Sequence, residues 1–410
     1  MKHPYQALYH SDSDRIRFER LAAKLCELGH ADNEIRYFSA PGRSELGGNH
    51  TDHQHGCVLA AAVDVDTIAA VAKNDLCLVR LTSEGYPSCV QSLELSRNAP
   101  AKPGSAESLL QGMLAAFAPY EGKKCGLDIF VSSTVLPGGG LSSSAAFEVL
   151  LAAVFNELWL DGALDVLKLA EIGQWVENVH FGKPCGRLDQ TASAVGGVTF
   201  MDFADPEAPV VERIGLDLDE KGYALCIINC GAGHEDLTDE YAAIPREMQS
   251  VCRLFGKQVL AEIPEEEFFS RLREVRAVAG DRAALRAVHI YQENRRVLQM
   301  RQALQEDRFA DYLALVNASG LSSWRYLQNV CPAGAKAEQP MAITLALCER
   351  LLGGHGACRV HGGGFAGTVQ AYVPTELAAD FKQRIESFLA PDCCQIRKVR
   401  PIGVCELALG

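Results

Sequence analysis

One stretch constrains this chain more than any other: Leu136-Pro137-Gly138-Gly139-Gly140-Leu141-Ser142-Ser143-Ser144-Ala145-Ala146. Leu127 to Val131, just before it, reads as a strand. After it, Ala145 to Leu160 repeats apolar residues at spacings of three and four, the period of a helix. A strand that enters a glycine turn and leaves as a helix gathers orphan N–H groups and the positive end of a helix dipole in one place, which suits an anion. The glycines reach turn conformations that cost other residues strain. Ser142 is read as the N-cap, and the three hydroxyls offer a metal ligand and phosphate hydrogen bonds. The plain alternative is a serine-capped glycine turn with no ligand. It is not a Walker A loop, because Gly-Lys-Ser/Thr occurs nowhere in the chain.

The 410 residues predict two domains. The boundary is expected in the charged, Pro206- and Pro209-containing stretch 206–221, giving units 1–205 and 206–410. Helices are read at 12–30, 106–117, 145–160 and 164–179, with charged helices over 265–309. Strands are read at 35–38, 76–82, 127–131, 198–203, 223–229, 358–360 and 368–373. The polar segments 40–53 and 182–197 are read as functional loops. A net charge of −13 and the lack of a basic run exclude a general nucleic-acid binder. An anionic substrate then needs a local positive pocket. No apolar run is long enough for a membrane helix. Fifteen scattered cysteines without a Cys-x-x-Cys pair, behind a polar N-terminal segment, predict free thiols in a cytoplasmic protein.

Gly362-Gly363-Gly364-Phe365-Ala366-Gly367 has the form Gly-x-Gly-x-x-Gly, but a β-rich segment follows it where a dinucleotide site needs a helix. It is read as a tight hairpin whose backbone closes over a nucleotide or sugar. His50, His53 and His55 with Asp52 do not have the spacing of a structural zinc site. Polar contacts to sugar hydroxyls suit them better.

Three segments resemble the signature motifs of the GHMP small-molecule kinases: Pro41-Gly42-Arg43 through Gly48-Asn49-His50-Thr51-Asp52, then Pro137 to Ala146, then Gly362 to Gly367. Pro184-Cys185-Gly186-Arg187-Leu188-Asp189-Gln190 is similar to a fourth family segment. The first motif resembles that of the galactokinases within this superfamily. The resemblance implies an α+β, two-lobed GHMP kinase fold, with a ribosomal-protein-S5-like N-terminal lobe and a ferredoxin-like C-terminal lobe. It implies transfer of the γ-phosphoryl group of ATP, with Mg²⁺, to the anomeric hydroxyl of a hexose, galactose first. By position, Asp189 and Arg43 match the catalytic pair. Ser144 and Glu177 match the Mg²⁺-associated residues. Pro137, Gly138, Gly139, Gly140, Leu141, Ser142, Ser143 and Ser144 match the ATP loop. Asn49, His50, Asp52, Gly186 and Tyr241 match sugar-contacting positions.

The sequence departs from the family pattern in places. Asn49 stands where a glutamate is usual, Ser44-Glu45 where Val-Asn is usual, His53 where a tyrosine is usual, and Ala366 where a glycine is usual. The Asn49 exchange raises the expectation of a sugar altered at C6 or elsewhere, galacturonate or N-acetylgalactosamine. A sugar- and ATP-binding sensor without turnover is the other expectation to test, and the intact catalytic set argues against it. The His-Thr-Asp segment argues against mevalonate or homoserine as acceptor. The protein is expected to act as a monomer on small molecules.

Overall fold

The computed structural model describes residues 2–136, 138–183, 185–231 and 237–409. The first half of the chain lays down β1 (Lys2–Pro4), β2 (Arg36–Gly47), β3 (Cys57–Asn74), β4 (Leu78–Ser83), β5 (Cys89–Ser92), β6 (Gly126–Ser133), β7 (Val198–Asp202) and β8 (Val210–Ile214). A second sheet follows from β9 (Tyr223–Asn229), β10 (Ala357–His361), β11 (Thr368–Pro374) and β12 (Cys394–Arg397), and β13 (Cys405–Ala408) then returns to the first sheet. Among the described residues the large sheet runs β1-β13-β2-β3-β6-β4-β5, with β7 also on β3 and β8 on β7. The small sheet runs β10-β11-β9-β12.

The helices are α1 (Asp12–Glu27), α2 (Ala106–Phe117), α3 (Ser143–Trp159), α4 (Val166–Val176), α5 (Leu188–Val195), α6 (Thr238–Leu254), α7 (Glu265–Ser270), α8 (Leu272–Val278), α9 (Asp281–Gln305), α10 (Phe309–Ser322), α11 (Pro340–Leu352) and α12 (Ala378–Phe388). None is long and apolar enough to cross a membrane. Helix α3 is apolar almost all round and correspondingly buried, packed with α2 and α4 over β4 and β6. Its end is fixed by Phe155 stacked on Trp159 at 4.1 Å. Side chains of α9 and α10 (Val297, Met300, Tyr312) pack with Leu46 and Leu59 of the large sheet and Tyr372 of the small one, so one core joins the two sheets.

Several expectations need correction. Residues 40–47 are not loop. They continue β2, buried throughout, with Ala40, Gly42, Ser44 and Gly47 leaving room for α3 and α9 to close on the strand. Gly47 lets α9 close on the strand: a Cβ there would lie 2.6 Å from Met300 Sδ and push that side chain aside. The pairing of β2 with β3 shifts register between Pro41 and Arg43 and again between Glu45 and Gly47. Such irregularities re-aim side chains beside active sites. The segment 182–197 is also not all loop, since α5 puts Asp189 in a first helical turn. The helix expected to 179 stops at Val176 and continues as a π-turn, Glu177–Phe181. A boundary at 205/206 cuts the large sheet, because β8 and β13 lie beyond it. The pairing of β13 with β2, strands so distant in sequence, leaves no local signal.

Candidate functional site

The centre of the site is one guanidinium. Arg43, re-aimed from β2, donates from Nε to Asp189 Oδ1 at 2.6 Å and from Nη2 to Oδ2 at 2.7 Å. Its Nη1 holds the Gly140 carbonyl at 2.5 Å, and its backbone N–H holds the Leu141 carbonyl at 3.0 Å. One residue therefore fastens the glycine loop to the helix that carries Asp189. Such forked, charge-assisted pairing is both strong and geometrically specific. Burial alone would raise the Asp189 carboxyl, but the Arg43 charge and the hydrogen bonds from Arg43 and Ser142 outweigh it and hold it below the usual aspartate value.

Ser142 corrects the capping expectation. It sits at the N-cap of α3 with φ 56° and makes no side-chain cap; its Oγ donates to Asp189 Oδ2 instead. Two residues on, Ser144 Oγ donates to Glu177 Oε1 at 2.9 Å, and Lys183 Nζ reaches the same oxygen at 3.1 Å. The other Glu177 oxygen accepts from Gln190 Nε2 at 2.8 Å, and that amide also donates to buried Glu148 at 2.9 Å. Burial, and then the charge of Glu177, push the Glu148 carboxyl well above its usual value.

Arg43, Asp189, Ser142, Ser144 and Lys183 open onto a cavity of about 220 Å³ between the two sheets, with Glu177, Gln190 and Glu148 buried behind them. One wall is Gly138, Gly140 and Ser142 to Ser144. The floor is Arg43 and Asp189. The opposite wall is Tyr241, His361 and the hairpin from Gly362 to Gly367. Gly140 touches that hairpin closely enough that a Cβ would lie 2.3 Å from Thr368 Oγ1.

The hairpin is held from behind by the first motif. Asn49 Nδ2 donates to the Gly362 carbonyl at 2.6 Å, and Asn329 Nδ2 donates to Asn49 Oδ1 at 2.7 Å and to the Gly363 carbonyl at 3.1 Å. His50 Nε2 donates to the Gly363 carbonyl at 3.1 Å, and Tyr241 Oη to that of Gly364 at 2.8 Å. Asn49 is thus fully buried and, like His50, Asp52 and Gly186, lies outside the residues that line this cavity. Asp52 lies tight against Gly186, where a Cβ would meet its Oδ2. Leu141 is core, and Gly139 is outside the wall. Pro137 lies outside the described residues. Sequence reasoning did not single out Lys183, His361 or Thr368; a basic residue in the glycine-flanked segment 182–186 was the available signal.

Burial, and for His50 also the neighbouring His53, lowers the His50 imidazole to about 3; burial lowers His289 and His361 as well. Unfolded histidines bind a proton near pH 6.5, whereas these resist it when folded. Their contribution to stability is therefore complete above about pH 6.5 and is lost progressively as pH falls below it. Thermal melts are expected to be flat above about pH 7 and to drop below about pH 6, with His50→Gln reducing the slope. A melting temperature unchanged between pH 7 and 5 would contradict this.

Residues 108–197 match the GHMP kinases N terminal domain, and residues 27–73 match the galactokinase galactose-binding signature. The galactokinase of Streptomyces coelicolor is 32% identical over 337 residues, 81% of this chain and 82% of that one. That of Actinobacillus pleuropneumoniae is 29% identical over 346 residues, 82% and 85% of the two chains. The structure of Lactococcus lactis galactokinase complexed with galactose superposes with a TM-score of 0.78 at 24% identity, covering 94% of this chain and 98% of that one. Methanococcus jannaschii mevalonate kinase gives 0.60 at 15% identity, over 88% and 98%.

Proposed function

The chain belongs to the galactokinase family of the GHMP kinases, and from that premise we propose that it transfers the γ-phosphoryl group of ATP to the anomeric hydroxyl of galactose, giving galactose 1-phosphate and ADP. The observation that carries the reading is the Arg43 fork on Asp189 at the floor of the cavity, with the same guanidinium on the glycine loop. A carboxylate kept ionised by its partner is a weak base. It takes the proton as the bond from the sugar oxygen to the γ-phosphorus forms and the bond from phosphorus to the β,γ-bridging oxygen breaks. Arg43 balances the charge that spreads over the moving group.

The donor set supports Mg²⁺ as the accompanying cation. Ser144 Oγ and Glu177 Oε1 are hard oxygen donors that lie side by side, 2.9 Å apart. Ser144 and Glu177 would hold the ion, which neutralises phosphate charge when bound. Gln190, bridging Glu177 to Glu148, keeps that carboxylate turned toward Ser144. His50, Asp52, Gly186 and Tyr241 form the sugar end of the same proposal. A cytoplasmic location belongs to it as well, supported by cysteines that are all unpaired.

The test is ADP release over a panel of free hexoses, amino sugars and uronic acids. Galactose is expected to give the highest kcat/KM. Asn49 is turned into the protein rather than toward the cavity, so galacturonate and N-acetylgalactosamine are expected well behind. A uronic acid in first place would overturn the choice of sugar. Binding of ATP and sugar without any ADP release would favour the sensor.

A further inference from the structure

Besides the Mg²⁺ site and the N-terminal end of α3, the cavity holds one cationic side chain whose role has not been given. The triphosphate of ATP brings several negative charges into a protein whose own net charge is −13. Three basic residues line the cavity among the described residues: Arg43, Lys183 and His361. Arg43 is already balanced by Asp189. Burial and the nearby Arg43 and Arg359 keep His361 neutral. The glycine loop carries no lysine of its own. That leaves the ammonium of Lys183.

Resting on the kinase reading above, we propose that Lys183 is a phosphate-contacting residue that binds the β- and γ-phosphates of ATP from the α4–α5 connection. Its Nζ lies 3.1 Å from Glu177 Oε1, the oxygen that also accepts from Ser144. A divalent cation held by Ser144 and Glu177 competes with the ammonium for that oxygen and repels it. The side chain is 62% exposed, on a flexible four-carbon stem, so Nζ is free to turn to the next anion, a phosphate oxygen. Gly182, with φ 81°, precedes it, and a Cβ there would meet nothing closer than Pro103 at 3.5 Å, so the backbone has room to follow.

The experiment is calorimetric titration of full-length wild type, Lys183→Met and Lys183→Arg with ATP, ADP and AMP, each with and without Mg²⁺ and without sugar. Lys183→Met is expected to weaken ATP and ADP binding about tenfold or more and to leave AMP unchanged. Lys183→Arg is expected to restore most of the loss. The melting temperature checks folding and should hold, given the exposure of the side chain. ATP affinity within twofold of wild type in Lys183→Met would overturn the proposal, as would an equal loss for AMP. Failure of the wild type itself to bind ATP would instead overturn the kinase reading beneath it.

Discussion

Asp189→Asn is expected to lower kcat by about 10²–10⁴-fold, the usual worth of a positioned base, while ATP and galactose still bind. The amide keeps the shape of the carboxylate and still accepts from Ser142 and from one arm of the Arg43 fork. It cannot take the proton of the sugar hydroxyl. It also leaves the guanidinium, which is 8% exposed, without its countercharge. Both effects fall on the transition state, so kcat and kcat/KM should drop together and the galactose KM should move little. Coupled ADP release, with calorimetry for each substrate, measures this. Turnover near wild type would mean that Asp189 is not the base and that Arg43 with substrate positioning carries the reaction.

Arg359→Leu is expected to be the most destabilising single change, by about 3–5 kcal/mol, the cost of leaving a buried ion without its partner. Arg359 is fully buried in β10, and its Nη2 donates to Glu45 Oε1 of β2 at 2.6 Å. Burial pushes the Glu45 carboxyl up, and Arg359 opposes that shift. The pair joins the small sheet to the first motif, and Glu45 also accepts from Asn49, which holds the hairpin. Without Arg359, the carboxylate must take up a proton or draw in water. Denaturant titration reads the loss. The double variant Glu45→Met/Arg359→Leu should recover part of it, since an apolar pair replaces a matched ion pair at little cost. Unchanged stability of Arg359→Leu would show that the pair contributes nothing.

Much of this site could be read from the residues, and the reasons are physical. Glycine runs beside hydroxyl, guanidinium and carboxylate groups mark chemistry that a packing core does not need, so the loop at 138–144, Arg43 and Asp189 stood out. Small residues misled where they serve close packing. Ala40 and Ser44 look like loop and are buried strand, because the helices need room. Asn49 was legible as a departure from the family pattern but not as a residue facing inward, since a side chain's direction next to an irregular strand is set by partners such as Asn329, 280 residues away. The sequence alone does not single out Lys183, and only the fold brings its Nζ within 3.1 Å of Glu177.

The return of the chain to the large sheet at β13 has a cost during synthesis. Arg36 of β2 and Glu406 of β13 are joined by a hydrogen bond across 370 residues of chain. A ribosome adding about 5–20 residues per second leaves that flank of β2 unpaired for roughly 20–70 s after the strand emerges. An open strand edge is a template for pairing with other nascent chains. Chaperone capacity in the host should therefore govern the yield of this protein more than the stability of the finished sheet does, and slower translation should make the demand greater.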